Sequence, residues 1–289
     1  MYPRTVSPSS ICGMADCRTT MHACVVVPVY RPEPTAHELL SLTQLADKLG
    51  EHPIELVAPA GLDVGPYRRL VGERRSHSFN PRFFEARANS RASYSALMVS
   101  DGFYQHFKQY EHILIHQTDA FVFDDQLDQW SGRDFDYIGS PHWAEWGARK
   151  DLGMTGVGNG GFSLRRVEAF VRTLRDGRRP SRRLKLLVPR SPARALRRAQ
   201  NGELVEDYYW GHFAPINVAT IRDAIAFAFE MGLERMAEHY RDLVPFGCHA
   251  VWNLEYIHAF RNGVVPNREP EYEAVLYSLL KRSGNLTTG

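Results

Sequence analysis

The residue types best suited to chemistry gather at four places in this 289-residue chain. The first is Gln117-Thr118-Asp119, which follows His116 and the apolar run Ile113, Leu114, Ile115. Such a run suits an interior strand covered on both faces. In an open α/β sheet, ligands collect at the carboxyl ends of the strands, so Asp119 is a candidate ligand for a metal or a substrate. An Asp that merely caps the next turn fits the segment equally well. The second place is Glu206-Asp207, followed by Tyr208, Tyr209 and Trp210. Aromatic rings stack on sugars and shield a carboxylate from water, so this stretch reads as a pocket wall. The third is the string from Thr155 to Arg166. Gly156, Gly158, Asn159, Gly160 and Gly161 there let the backbone approach a ligand that side chains would keep away. A bulged turn without a ligand is the plainer alternative. The fourth is His249, just past the tight apolar turn Val244-Pro245-Phe246-Gly247-Cys248, a structural hydrogen-bonder or a ligand.

Gly156, Gly158 and Gly161 formally satisfy the dinucleotide pattern G-x-G-x-x-G. The residues before them do not form a buried strand, and the region some twenty residues onward is arginine-rich where a ribose-binding acid is needed, so that reading fails. The 44% hydrophobic and 24% charged composition is that of a chain able to bury a large core. Its net charge of +2 is unevenly spread. Arg172 to Arg198 holds ten arginines and one lysine against Asp176 alone, leaving 24 basic and 32 acidic residues elsewhere. This run lacks the interleaved aromatics of a nucleic-acid binder, and no nucleic acid is expected. It reads as a solvated loop, a cover for an anionic donor, or a peripheral contact of residues 176–201 with an anionic membrane. Four cysteines without paired spacing point to a reduced, cytoplasmic protein, at most peripheral at the inner membrane face. The polar N-terminus is unlike a signal peptide, and no run approaches a membrane span. No residue pattern fixes an oligomeric state.

The elements that must position these groups alternate. Ala23 to Tyr30 predicts a strand, Thr35 and Glu38 form a capping box for a helix carrying Leu39, Leu42, Leu45 and Ala46, and Ile54 to Ala58 predicts a parallel second strand. A polar connection over Tyr67–Arg75 and a short strand near His77–Phe79 follow. One helix is expected over Asn89–Phe107, a short helix over Gln126–Trp130 and a strand over Phe135–Gly139. Further helices are expected from Leu164 to Leu174, from the Thr220/Asp223 cap through Phe229, and over Glu271–Lys281. The fold class expected is α/β, one domain over residues 22–265, with a poorly ordered extension at 1–21 and a helix and tail at 266–289.

The order Gln117-Thr118-Asp119-Ala120-Phe121-Val122-Phe123, Asp136-Tyr137-Ile138-Gly139-Ser140-Pro141, Gly158 to Arg165, Glu206-Asp207 and Pro245-Phe246-Gly247-Cys248-His249 resembles an uncharacterised glycosyltransferase-like domain family. More remotely, it resembles nucleotide-sugar glycosyltransferases of the GT-A fold. The likeness covers about residues 23–260. It implies a GT-A-like fold with a mostly parallel central sheet and a less regular acceptor-side half. It also implies transfer of a sugar from a nucleotide-sugar donor to a carbohydrate or other hydroxyl acceptor. The family's Asp-x-Asp motif, whose last acid holds Mn2+ or Mg2+ on the donor diphosphate, corresponds to Gln117-Thr118-Asp119. Gln117 replaces the first acid and brings no charge. By the same likeness His249 is a further metal or phosphate ligand, Asp207 the general base of an inverting displacement, and Glu206 its neighbour. Val27, Pro28 and Tyr30 would line the nucleotide, with Gly158, Asn159, Gly160, Gly161, Phe162 and Trp210 along sugar and acceptor. A metal-dependent hydrolase acting on the same bonds and a non-catalytic nucleotide-sugar binding module remain the alternatives.

Overall fold

The β-branched run Met21–Pro28 forms β1, which takes partners on both edges. It pairs in parallel with β2 (Ile54–Pro59) on one side and with β4 (Tyr110–His116) on the other. A computed structural model describes residues 21–71, 82–84, 91–143, 153–178, 191–230, 233–236, 238–250, 257, 262 and 270–286. β3 (Arg82–Phe84) extends the sheet beyond β2. β9 (Phe162–Arg166) lies antiparallel to β4, and β6 (Tyr137–Ile138) antiparallel to β9. The order is therefore β3-β2-β1-β4-β9-β6, with β9 alone running against the other five. This is the expected α/β domain with a mostly parallel central sheet.

Alternation along β1 and β4 sorts the core into two layers. Val25, Val27 and Leu114 face α1 (Ala36–Lys48) and α2 (Gly65–Val71). Cys24, Val26, Ile113 and Ile115 face α3 (Arg91–Met98), α4 (Asp101–Gln105) and α6 (Val167–Arg178). Thr35 Oγ1 accepts from the Glu38 amide at 3.3 Å while Glu38 Oε2 accepts from the Thr35 amide at 2.7 Å, which completes the capping box. Leu39, on the same apolar spacing of α1, is exposed.

Two small sheets sit above the carboxyl ends of the large one. β5 (Ala120–Val122) pairs antiparallel with β11 (Gly247–His249), which runs parallel to β10 (Ala228–Phe229). β7 (Pro141–Trp143) pairs with β8 (Met154–Val157). The short helices α5 (Leu127–Ser131), α7 (Pro192–Gln200), α8 (Glu206–His212) and α9 (Ile221–Phe227) fill the joints. The C-terminal α10 (Pro270–Arg282) packs Leu276, Leu279 and Leu280 beside Phe121 and Phe123.

Several local expectations change. The single helix over 89–107 is two, because Ser100 starts a new one by accepting from the Phe103 amide at 3.3 Å. The polar connection after residue 65 contains α2, whose Tyr67 and Val71 are buried. Leu164 is a strand residue: pairing with Leu114 and Ile138 on both edges overrides its helical spacing, and α6 begins only at Val167. α9 ends at Phe227, since Ala228 and Phe229 pair with β11. Residues 1–20, the strand expected at 77–79 and residues 179–190 of the basic run lie outside the described residues. Among the described residues no helix is long and apolar enough to cross a membrane.

Candidate active site

Where β4 ends, the chain turns tightly: the Gln117 amide donates to the Gly161 carbonyl at 2.8 Å and the Ala120 amide to the Gln117 carbonyl at 2.9 Å. The register of β5 against β11 sets His249 opposite Ala120, one residue from Asp119. His249 Nε2 consequently lies 3.1 Å from Asp119 Oδ1 and 3.0 Å from Gln117 Oε1. Its Nδ1 lies 3.3 Å from Glu230 Oε1. Burial works against a charge on this imidazole, but the carboxylates on its two nitrogens outweigh it and hold its pKa up at about 10. Burial also pushes the Asp119 and Glu230 carboxyls up, and the imidazolium more than offsets this, leaving both below the usual range.

The glycine-rich string runs between this group and α8. Asn159 takes the left-handed conformation at φ 46°, and its Oδ1 accepts from the Gly161 amide at 3.0 Å. A Cβ on Gly161 would stand 2.1 Å from His249 Nε2, and one on Gly160 would stand 2.2 Å from Glu206 Oε1. The two glycines thus admit an imidazole from one side and a carboxylate from the other. Asp207 Oδ2 accepts from the Gly160 amide at 3.2 Å and Oδ1 from the Tyr208 amide at 2.6 Å.

Glu206 is almost fully buried beneath Asp207. It accepts from Ser95 Oγ at 3.0 Å and lies 3.7 Å from Arg165 Nη2. Burial and the neighbouring Asp207 raise its pKa to about 7. Arg165 has no exposed surface. It donates to Ser163 Oγ, to the Tyr104 hydroxyl at 2.8 Å and to the Gly160 carbonyl, so one guanidinium fixes both the turn and the floor beneath Glu206.

These groups share one cavity of about 640 Å³, lined on one wall by Gln117, Glu230 and His249 and on the other by Val205, Glu206 and Asp207. Tyr30, Arg31, Tyr94 and Ser95 close its side. Tyr30 and Tyr94 meet edge to face at 6.0 Å. A divalent cation would displace the proton that Asp119 and Gln117 hold on His249 Nε2, and the deprotonated set then offers two oxygens and one nitrogen. Oxygen ligands at neighbouring corners of an octahedral Mg2+ stand about 3 Å apart, which is the spacing around His249 Nε2. Glu230 on Nδ1 is the carboxylate that commonly orients a metal-bound imidazole.

The sequence profile of a family described as "Protein of unknown function (DUF5672)" matches residues 75–249, more than half of the chain. The chain belongs to the DUF5672 family. Curated proteins give no significant match. Among solved structures, an active-site mutant of LgtC is similar at 12% identity and a TM-score of 0.50, with 86% of this chain and 99% of that chain covered. Mouse xyloside xylosyltransferase 1 in its apo form is similar at 12% identity and a TM-score of 0.50, with 81% and 98% covered. At this identity the likeness is one of fold, and it places the DUF5672 chain among GT-A-like structures.

The candidates from sequence divide in two within this DUF5672 domain. Tyr30, Gln117, Asn159, Gly160, Gly161, Glu206, Asp207 and His249 all line the cavity, with Asp119 against His249. The rest stand behind it. Trp210 is fully buried, packed on Phe170 at 4.0 Å, and its indole donates to the Met98 carbonyl. Val27 and Phe162 are core residues, Pro28 is buried in β1, and Gly158 is covered by His142. Glu230, Arg165 and Ser95 were not among the candidates. Glu230 follows the buried pair Ala228-Phe229 much as Asp119 follows β4, a signal that was present in the sequence.

Proposed function

We propose that this protein is a nucleotide-sugar-dependent glycosyltransferase whose donor occupies the 640 Å³ cavity. The observation that carries the reading is the facing arrangement. Gln117 and His249, with Asp119 against His249, form a metal-competent wall, the carboxylate pair of α8 forms the other, and the glycine turn lies between them. The fold likeness to LgtC and to the xylosyltransferase supports it.

Tyr30 offers a ring beside the nucleotide, and Arg31 offers positive charge at the cavity side for the diphosphate. Asp119, His249 and Gln117 would hold Mn2+ or Mg2+, which neutralises charge developing on the departing nucleoside diphosphate. Asp207, half-buried at the cavity edge, takes the proton of the acceptor hydroxyl as that oxygen bonds to the anomeric carbon and the bond to the diphosphate breaks. This is an inverting single displacement. Glu206 beneath it retains a proton near neutral pH, which keeps the carboxyl pair from carrying two negative charges in a buried site.

Asp207→Asn should lower transfer by about 10²- to 10⁴-fold while donor binding persists. Asp119→Ala should weaken Mn2+-dependent binding of nucleoside diphosphates, read by thermal shift. Full transfer by Asp207→Asn would remove the base assignment. Donor cleavage indifferent to every acceptor would favour a hydrolase, and binding without turnover of any donor would favour a binding module.

A further inference from the structure

At the opposite end of β4, outside this cavity, stands a second group of ligand type. His22 Nδ1 lies 3.2 Å from Glu111 Oε2, and His112 Nδ1 lies 4.0 Å from Glu111 Oε1. One ligand atom from each of the three residues can be chosen so that all lie within 4.8 Å of one another. The strand register explains the meeting: Met21 pairs with Tyr110 and Ala23 with His112, which sets His22 beside Glu111.

The independent observation is at His112. Its side chain is 1% exposed, yet its Nδ1 has no hydrogen-bond partner and faces this cluster. Buried polar atoms are nearly always satisfied, and this one lies within ligand reach of an imidazole and a carboxylate. We propose that His22, Glu111 and His112 form a binding site for a transition metal of the zinc class, joining the starts of β1 and β4. Two imidazoles and one carboxylate select Zn2+ over Mg2+ or Mn2+, because nitrogen donors suit the softer ion. Ligands around tetrahedral zinc stand about 3.3 Å apart, so closing the 4.0 Å gap needs only small movements of two half-exposed side chains. One adjustment accompanies binding. Arg166 Nε approaches His112 Nε2 at 3.4 Å, and metal on Nδ1 moves the ring proton to Nε2. The guanidinium then turns to Asp134 and Asp136, each already 3.8 Å away.

The test is a Zn2+ titration of the full chain by calorimetry, with Mn2+ and Mg2+ as comparison ions. His22→Ala and Glu111→Gln alter side chains that are 52% and 46% exposed, so both variants should fold, which circular dichroism checks. Each should lose one equivalent of bound Zn2+, or bind it at least tenfold more weakly, while Asp119→Asn keeps that equivalent. Zn2+ binding by both variants at wild-type stoichiometry and affinity would overturn the site, as would equally tight occupancy by Mg2+. A wild-type chain binding Zn2+ only at the site removed by Asp119→Asn would overturn it too. The proposal stands apart from the transferase reading, since the Asp119 variant reports on one and the His22 variant on the other.

Discussion

The two ends of β4 carry similar side chains in dissimilar settings. At the carboxyl end, His249 has a partner on each ring nitrogen, contributed by segments near residues 117 and 230. At the amino end, His112 keeps an orphan nitrogen, and its neighbours come from the adjacent strand and from its own. The carboxyl ends of a parallel sheet are where connections from distant parts of the chain converge, so an enclosed site can be assembled there. The amino ends gather what the strand register brings alongside. There a half-exposed carboxylate and imidazole can take a metal.

The sharpest break in this contrast is Gly161→Ala. The added methyl would stand 2.1 Å from Nε2 and 2.2 Å from Cδ2 of an imidazole held at both nitrogens, so the ring must leave Asp119 or the turn must open. A loss of about 3 kcal/mol in urea unfolding is expected, together with at least tenfold weaker binding of nucleoside diphosphate with Mn2+. Zn2+ binding at His22, Glu111 and His112 should be unchanged. Wild-type stability and donor affinity would show that His249 has room to move, and the upper site would then be as loosely built as the lower one.

The second effect is the pH dependence that Glu206 brings to the upper end. The folded chain holds the Glu206 proton to about pH 7, whereas an ordinary glutamate releases it near 4.5. Arg165, Asp207, Tyr94 and Tyr104 surround it; Arg165 favours the carboxylate, and burial together with Asp207 outweighs it. Between these values the folded state binds more protons than the unfolded one. The Glu206 contribution to stability therefore falls as pH rises from about 4.5 to 7, with a limiting slope of about 1.4 kcal/mol per pH unit. The buried imidazoles of His112 and His116, pushed down to about 4, contribute the opposite sign between about 4 and 6.5. Glu206→Gln should remove the falling contribution, so that unfolding free energy climbs more steeply with pH than in the wild type over that range. An unaltered slope would assign the dependence elsewhere.

Much of the upper end was legible in the sequence because its signals are local. An apolar run stopping abruptly at Gln117, adjacent acids before aromatics, and a glycine string each mark themselves within a few residues. The capping box at Thr35 and Glu38 did the same for α1. What was not legible depends on pairing between distant segments. Leu164 and Arg165 look helical until β4 and β6 claim them as β9, and the burial of Arg165 under Glu206 follows from that pairing. Trp210 reads as a pocket ring beside Asp207, yet α8 turns it inward against Phe170 and Tyr104. Sequence marked Asp119, Glu206, Asp207 and the glycines and missed Glu230; only the sheet order determined which neighbours face the cavity.

The smallest expected effect tests how far the upper end is braced from below. Thr118, between the two candidate ligands Gln117 and Asp119, donates its hydroxyl to Glu38 Oε1 at 2.6 Å. The other oxygen of Glu38 caps the Thr35 amide at the start of α1, and Arg31 of the cavity wall lies 3.9 Å from that same oxygen. One carboxylate thereby ties the ligand turn, a helix start and a cavity arginine together. Thr118→Val keeps the shape and removes the hydroxyl. The expected cost is about 1 kcal/mol in unfolding free energy, because Glu38 retains its bond to Thr35 and access to water. Donor affinity should fall by about two- to fivefold, since Asp119 stays attached through the Ala250 amide to its carbonyl and through His249 to its carboxylate. A loss as large as that of Gly161→Ala would instead make Glu38 a principal support of the site, with α1 as part of its frame.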